Sequence, residues 1–188
     1  EGQHTVYVRG YDYTGYTGTS NTVTFTIDTT PPSITITDPA DGSYISSNTI
    51  TVTWSYTEAN LQEFEIYVDG SYKDSTTSTS YTLTLSEGQH TIKIVAVDKA
   101  GNTGSDEITI TIDTTPPKFT DWSPANNTWR NTSSVTVTWT VSEKNLDYYE
   151  VYINGTLVAT TTATNYTIRG EGQYIIRIVA VDKAGNTA

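Results

Sequence analysis

Apolar and polar residues alternate along most of the chain. In residues 49–56 every even position carries isoleucine, valine, tryptophan or tyrosine, and every odd position carries threonine or serine. Residues 134–141 repeat this arrangement. A period of two over this length is typical of a β-strand with one buried and one exposed face. Because no segment shows a convincing helical period, the pattern predicts an all-β protein.

The chain also repeats itself at a fixed interval. The segment EGQHTIKIVAV begins at Glu87, and related segments begin at Glu1 and at Glu171, 86 residues before it and 84 residues after it. A second segment, IDTTPP, ends at Pro32 and again at Pro117, 85 residues later. A constant period of this size indicates that one structural domain follows another along the chain.

Seven strands are predicted between the two Pro-Pro pairs. They lie near residues 33–37, 49–56, 62–68, 71–75, 80–85, 89–97 and 107–113. Asp69-Gly70 and Asn154-Gly155 lie between alternating runs and can supply the positive φ of tight hairpin turns. Short strands at this spacing are typical of an immunoglobulin-like sandwich.

The sequence therefore predicts tandem immunoglobulin-like β-sandwiches joined by short Pro-Pro linkers. Residues 1–28 are expected to be the last two strands of one sandwich. Residues 29–113 are expected to form a complete sandwich, the central repeat, and residues 114–188 a sandwich without its last strand, the last repeat. Two readings of these ends are open. The sequence is a window cut from a longer array, or residues 1–28 of one subunit complete the last sandwich of another by strand complementation.

Several short motifs resemble the immunoglobulin-like tandem repeats of bacterial and archaeal surface adhesins, S-layer proteins and multidomain exoenzymes. They are the IDTTPP linker, the E-x-N-L stretches, the V-D-G turn, the EGQHTI strand and the DKAGNT hairpin. The resemblance covers the whole chain. It implies an extracellular or cell-surface location and a sandwich fold, but such domains occur in proteins of many functions.

Composition narrows the classes of function. The formal net charge is −11, with 10 basic and 21 acidic residues, which disfavours nucleic acids and anionic membranes as partners. There is no cysteine, so disulfide and thiol chemistry are excluded. No apolar run approaches the ~18 residues of a membrane span.

His4 and His90 occupy one repeat position, where the third copy has Tyr174, and no catalytic motif can be assembled around them. The chain is not expected to be an enzyme.

Oxygen-bearing side chains are expected to converge at each linker. In an immunoglobulin-type sandwich, the loop after the second strand and the last hairpin lie at the end where the first strand begins. Ca²⁺ prefers about 6–8 carboxylate and carbonyl oxygens. Some adhesins that resemble this sequence bind Ca²⁺ through an aspartate of a similar linker. The predicted interdomain calcium ligands are Asp28, Glu58, Asn60, Asp98 and Asn102, and at the next linker Asp113, Glu143, Asn145, Asp182 and Asn186.

The alternative interpretation is that Asp98 and Asp182 only cap their turns, while the asparagines of the hairpins adopt left-handed backbone. In the first EGQ copy Asp12 is kept, but Tyr16 stands where the other hairpins have asparagine.

Two further features could carry surface chemistry. The N-x-Ser/Thr glycosylation pattern is matched at Asn126, Asn131, Asn154 and Asn165. Trp122 and Trp129 stand where the central repeat has Thr37 and Tyr44. These tryptophans could stack on sugars, or they could cap the edge of the core.

The leading functional hypothesis is a structural or adhesive extracellular array that forms a semi-rigid stalk, surface layer or filament. Its partners would be neighbouring copies of the same repeat or subunit, and glycans. The alternative is a set of accessory immunoglobulin-like domains, with a capacity to bind carbohydrate, in a secreted polysaccharide-degrading enzyme. No cofactor is expected other than Ca²⁺ at the linkers.

Overall fold

The computed structural model describes all 188 residues and contains strands but no helix. The strands are β1 (Gly2–Val6), β2 (Arg9–Tyr11), β3 (Thr17–Thr19), β4 (Val23–Ile27), β5 (Ser33–Asp38), β6 (Tyr44–Ile45), β7 (Thr49–Thr57), β8 (Leu61–Val68), β9 (Ser71–Thr76), β10 (Ser80–Thr84), β11 (Gly88–Asp98), β12 (Thr103–Ile112), β13 (Lys118–Ser123), β14 (Ser134–Ser142), β15 (Leu146–Ile153), β16 (Thr156–Thr161), β17 (Asn165–Arg169) and β18 (Ile176–Asp182). The prediction of an all-β fold is confirmed.

The strands form pairs of sheets, as a sandwich requires. The central repeat has a three-stranded sheet of order β10-β7-β5 and a five-stranded sheet of order β6-β12-β11-β8-β9. The last repeat has two three-stranded sheets of orders β13-β14-β17 and β16-β15-β18. The sequence predicts two strands in residues 1–28. The structure has four, because each of the two predicted strands is interrupted in its middle. In this segment β1 pairs with β4 and β2 pairs with β3.

By density of contacts the chain divides into two compact units. The first contains Glu1–Pro39, Thr51–Tyr81 and Thr91–Ile108, and the second contains Ala40–Ile50, Thr82–His90 and Thr109–Ala188. The domain boundaries expected from the sequence, at residues 28 and 113, stay a prediction.

The core of the first unit consists of the apolar positions of the alternating strands. Val52 and Trp54 of β7 and Phe64 and Ile66 of β8 are all buried, and Ala96 of β11 lies opposite Phe64 in the strand register. The rings of Trp54 and Phe64 meet edge to face, with 5.3 Å between their centroids. Burying a side chain of this size stabilises the fold by ~1.5–3 kcal/mol. Packing therefore holds the two sheets together without a disulfide.

The second unit repeats this core with small changes. Val137, Trp139, Tyr149, Val151 and Ala180 are all buried there. The rings of Trp139 and Tyr149 again meet edge to face, with 5.3 Å between their centroids. The period of two read from residues 134–141 therefore corresponds to burial on one face of β14.

Candidate functional site: the two linkers and their hairpins

The aspartate of each D-K-A-G-N hairpin closes its own turn. Asp98 is fully buried, and its Oδ1 accepts hydrogen bonds from the backbone N–H groups of Ala100, at 2.8 Å, and Asn102, at 2.9 Å. The side chain of Asn102 donates to Asp98 Oδ2 at 2.8 Å. Gly101, with φ of 91°, supplies the left-handed residue that the turn needs. In the structure Asp98 therefore caps its turn, and the left-handed residue is Gly101 rather than the hairpin asparagine.

The last repeat has the same turn. Asp182 is 2 % exposed and accepts hydrogen bonds from the backbone N–H groups of Ala184, at 2.9 Å, and Asn186, at 2.8 Å. The Asn186 side chain donates to Asp182 Oδ2 at 2.8 Å. A buried carboxylate that is fully hydrogen-bonded is compatible with a stable fold, whereas an unpaired one is not.

These hydrogen bonds also set the acidity of Asp98. Burial by itself raises the pKa of this carboxyl group. Donation from the Asn102 side chain and from backbone amides of the turn favours the charged form and outweighs burial, so the pKa lies below its ordinary value. Asp98 is therefore an anion at neutral pH, inside the end of the sandwich.

The linker aspartate is bound by two asparagines. The Asn60 side chain donates to Asp28 Oδ2 at 3.0 Å, and the Asn102 side chain donates to the Asp28 carbonyl oxygen at 3.0 Å. The backbone N–H of Asn60 donates to Glu58 Oε1 at 2.6 Å. The structure therefore brings together all the side chains predicted to meet at the first linker.

The second linker has the same contacts. The side chain of Asn145 donates to Asp113 Oδ2, and that of Asn186 to the Asp113 carbonyl oxygen, both at 2.7 Å. The backbone N–H of Asn145 donates to Glu143 Oε1 at 2.9 Å. Asp113 is 5 % exposed. Because two linkers of different flanking sequence form identical contacts, the arrangement follows from the repeated motif.

The first linker also offers a concentration of negative charge. One carboxylate oxygen from each of Asp28, Glu58 and Asp98 lies within 4.8 Å of the other two. This charge suits a divalent cation. In the structure, however, Asn60 and Asn102 point amide nitrogens, which are donors, toward the aspartates. To ligate a metal, each amide would have to turn over and give up its hydrogen bond. Calcium binding at either linker stays a prediction.

The four sequons lie in different local structures. Asn154 occupies the turn between β15 and β16 with φ of 51°, and its Oδ1 accepts a hydrogen bond from the Ile175 backbone N–H at 2.9 Å. The Asn126 side chain accepts from the Asn127 N–H at 2.9 Å. Asn131 and Asn165 are exposed. Asn154 thus has a structural role of its own, and glycosylation stays a prediction at all four.

The two tryptophans singled out in the sequence differ in their surroundings. Trp129 is 97 % exposed, in the connection between β13 and β14. Trp122 is 60 % exposed and lies opposite Trp139 in the register of β13 and β14. It lines a cavity of about 440 Å³ together with Phe119, Val137 and Ile178. Trp122 therefore lies beside core residues with more than half of its surface exposed, and its two roles, capping the core edge and stacking on sugars, stay predictions, whereas Trp129 is a free aromatic surface.

The chain is similar to one described domain family and to parts of longer proteins. The family described as glucodextranase, domain B, matches residues 32–114. Chitinase A1 of Niallia circulans is 33 % identical over 178 residues, which is 86 % of this chain and 25 % of that protein. Exoglucanase B of Cellulomonas fimi is 29 % identical over 185 residues, 88 % of this chain and 16 % of that protein. The chain thus spans a quarter or less of the length of these relatives.

A solved structure agrees with the fold. The fibronectin(III)-like modules of Clostridium thermocellum CbhA superpose with a TM-score of 0.56 at 18 % identity, covering 83 % of this chain and 89 % of theirs. The fold is that of immunoglobulin-like and fibronectin(III)-like sandwiches.

No helix has the length and apolar character needed to cross a membrane.

Proposed function

We propose that this chain provides accessory, non-catalytic sandwiches in a secreted polysaccharide-degrading enzyme. The observation that carries this proposal is the extent of the two alignments. Those with chitinase A1 and exoglucanase B cover 86 % and 88 % of the chain, so each takes in both repeats and a linker. The similarity is to a tandem arrangement, which is more informative than similarity to one sandwich.

The structure supports a role in contact with the polysaccharide. Trp129 and Tyr72 are exposed aromatic rings, and such amphipathic rings can stack on the apolar faces of sugars. The negative net charge does not oppose binding, because chitin and cellulose chains carry no negative charge that it would repel. The mechanism in this proposal is passive: the sandwiches hold a catalytic domain near an insoluble surface.

The test compares fusion enzymes. A chitinase or cellulase catalytic domain is joined to this chain, or to a flexible Gly/Ser segment of equal length as the control. We expect the fusion with this chain to hydrolyse insoluble polysaccharide faster than the control and soluble oligosaccharides at the same rate. Equal rates on the insoluble substrate would overturn the proposal.

A Trp129→Ala variant examines the contribution of the exposed ring. We expect it to adsorb less to insoluble chitin or cellulose than the parent chain, at an unchanged melting temperature, because the ring makes little contact with the fold. Arg130→Ala, which removes the exposed, non-aromatic neighbour of Trp129, is the matched control and should adsorb as the parent does. Equal adsorption of the parent and both variants would remove Trp129 from the proposal.

The structural or adhesive stalk remains the second candidate. The feature that favours it is the repeated set of hydrogen bonds that fastens each linker to the hairpins around it. Under this proposal the chain is exposed at the cell surface and pairs with neighbouring copies. Adsorption to cells, together with failure to adsorb to polysaccharide, would favour the stalk over the accessory role.

A further inference from the structure

The glutamate of the EGQ motif contacts the linker that follows it. At the first linker, Glu1 accepts hydrogen bonds from the hydroxyl groups of Thr29 and Thr30, the latter at 3.2 Å to Oε1 and 3.3 Å to Oε2. Hydrogen bonding by these hydroxyls is the main reason that the pKa of Glu1 lies below its ordinary value. These contacts join residues 28 and 29 positions apart, so they span the whole segment before the central repeat.

The second EGQ copy makes the equivalent contact. Glu87 accepts a hydrogen bond from the backbone N–H of Thr114, at 3.0 Å to Oε1 and 3.3 Å to Oε2, and another from the Thr114 hydroxyl. Glu87 occupies the EGQ position of Glu1, and Thr114 occupies the linker position of Thr29. In both copies, therefore, the glutamate of the EGQ motif binds the first threonine of the linker that follows it.

Residues that precede the linker in the chain and residues that follow it therefore both form hydrogen bonds with it. Glu87 precedes it in the chain and binds Thr114, whereas Asn145 and Asn186 follow it and bind the side chain and the carbonyl oxygen of Asp113. The Asp113 carboxylate also accepts from the Thr115 N–H at 3.3 Å. Every residue of the Asp-Thr-Thr segment takes part, although the segment belongs to no strand.

We propose that the EGQ glutamate is a linker-binding residue. Together with the asparagines of the next repeat, it holds Asp-Thr-Thr in one conformation without a metal ion. The inference does not depend on the proposed accessory function, because a stalk would use the same contact. It gives the EGQ motif a role that differs from strand formation: in the first two copies glycine and glutamine begin β1 or β11, and glutamate binds the linker.

The experiment measures amide hydrogen exchange by NMR in the whole chain, for the parent with and without EDTA and for every variant with EDTA. The Thr114 N–H is bound to Glu87, so Glu87→Ala should speed its exchange by about tenfold, the order expected when a hydrogen bond to a charged group is lost. Glu87→Gln keeps a neutral acceptor and should give a smaller increase. Glu107→Ala, which removes an exposed glutamate of β12, is the matched control and should leave Thr114 unchanged.

Core amides of Ile94 and Ile110 report whether each variant is folded. Faster exchange at Thr114 with unchanged core amides supports the proposal. Unchanged exchange at Thr114 in Glu87→Ala overturns it, and so does a parent chain in which EDTA alone removes the protection. If Glu87→Ala does not fold, the Glu87→Gln comparison decides, with no increase at Thr114 counting against the proposal. The fusion assay of the proposed function is independent of every one of these outcomes.

Discussion

At the scale of single residues, the most informative side chains are the buried aspartates of the hairpins. The sequence placed Asp98 and Asp182 beside the linkers and left two roles open, metal ligand and turn cap. The structure shows the cap in both repeats. The ligand role stays a prediction, because both roles use the same oxygen atoms and the sequence does not show which way the neighbouring Asn102 and Asn186 amides point.

The hydrogen bonds to Asp98 predict a pH dependence of stability. Its pKa in the folded state lies below the ordinary value of 3.8. The contribution to stability is therefore complete well above pH 3.8 and is lost as the pH falls through the lower, folded-state pKa. Asp98→Asn should lower the melting temperature at pH 7, because it places an amide donor among donors.

Thermal melts of both proteins between about pH 2 and 7 check this expectation. This pH range includes the ionisation of ordinary aspartates. The difference between parent and Asp98→Asn should shrink at the acid end. Asp147→Asn, at an exposed position, is the control and should differ little from the parent throughout. A difference that stays constant with pH would contradict the expectation.

Gly104 gives a second prediction at this scale. A Cβ atom at this position would lie 1.9 Å from the carbonyl oxygen of buried Pro32, so the linker and β12 fit together only with glycine. Gly104→Ala should destabilise the fold by ~1–3 kcal/mol, as overpacking does. Urea unfolding measures the change. Gly18→Ala, where a Cβ atom meets nothing within 4 Å, should show no such loss.

At the scale of elements, alternation predicted the strands well and their irregularities poorly. All seven strands expected in the central repeat are present, and β12 begins at Thr103 rather than near residue 107. The two-residue strand β6 was missed. It pairs in parallel with β12, Tyr44 with Thr111 and Ile45 with Ile112. Its existence depends on a distant partner, so two residues of local sequence do not reveal it.

The sequence also does not reveal a register shift in β13. Alternation predicts that Phe119 and Asp121 face the same side. The pairing with β14 shifts between them, so that Trp122 lies opposite Trp139. In the central repeat Ile36 lies opposite Trp54, and the shift comes after it. An added residue in one strand exchanges the two faces, and nothing in the alternation shows where that residue is added.

The hairpin between β8 and β9 supports a prediction about turns. Asp69 and Gly70 have φ values of 51° and 75°, as the sequence signature required. Gly70→Ala should cost ~1–2 kcal/mol, because a side chain is strained in this region. Denaturant unfolding would show it, with Gly10→Ala, which lies outside the positive-φ glycines, as the reference. An unchanged midpoint for Gly70→Ala would contradict the turn assignment.

At the scale of the whole molecule, the repeat period led directly to the fold, whereas the proposal of function rests on comparison. A sandwich is compatible with a stalk, an adhesin or an enzyme accessory domain. The sequence motifs alone favoured the stalk. The alignments with chitinase A1 and exoglucanase B favour the accessory role, and no periodicity in one chain could have supplied that information.

Calcium binding is tested best on the intact chain. If the carboxylates of Asp28, Glu58 and Asp98 share an ion, about 5 mM Ca²⁺, above the ~1 mM dissociation constants of weak extracellular sites, should raise the melting temperature relative to EDTA. Asp28→Asn should reduce the rise, and Asp147→Asn should preserve it. An unchanged melting temperature in the parent chain would leave the linkers as metal-free structures.

The contacts at the two linkers have a consequence for how such a gene can change. Each set uses a glutamate from the copy before the linker and asparagines from the copy after it. Any two adjacent copies therefore carry all that a junction needs. Unequal recombination between copies can lengthen or shorten the coding sequence by whole periods and leave every remaining junction intact. Homologous genes are expected to differ in copy number more readily than in the residues at these junctions.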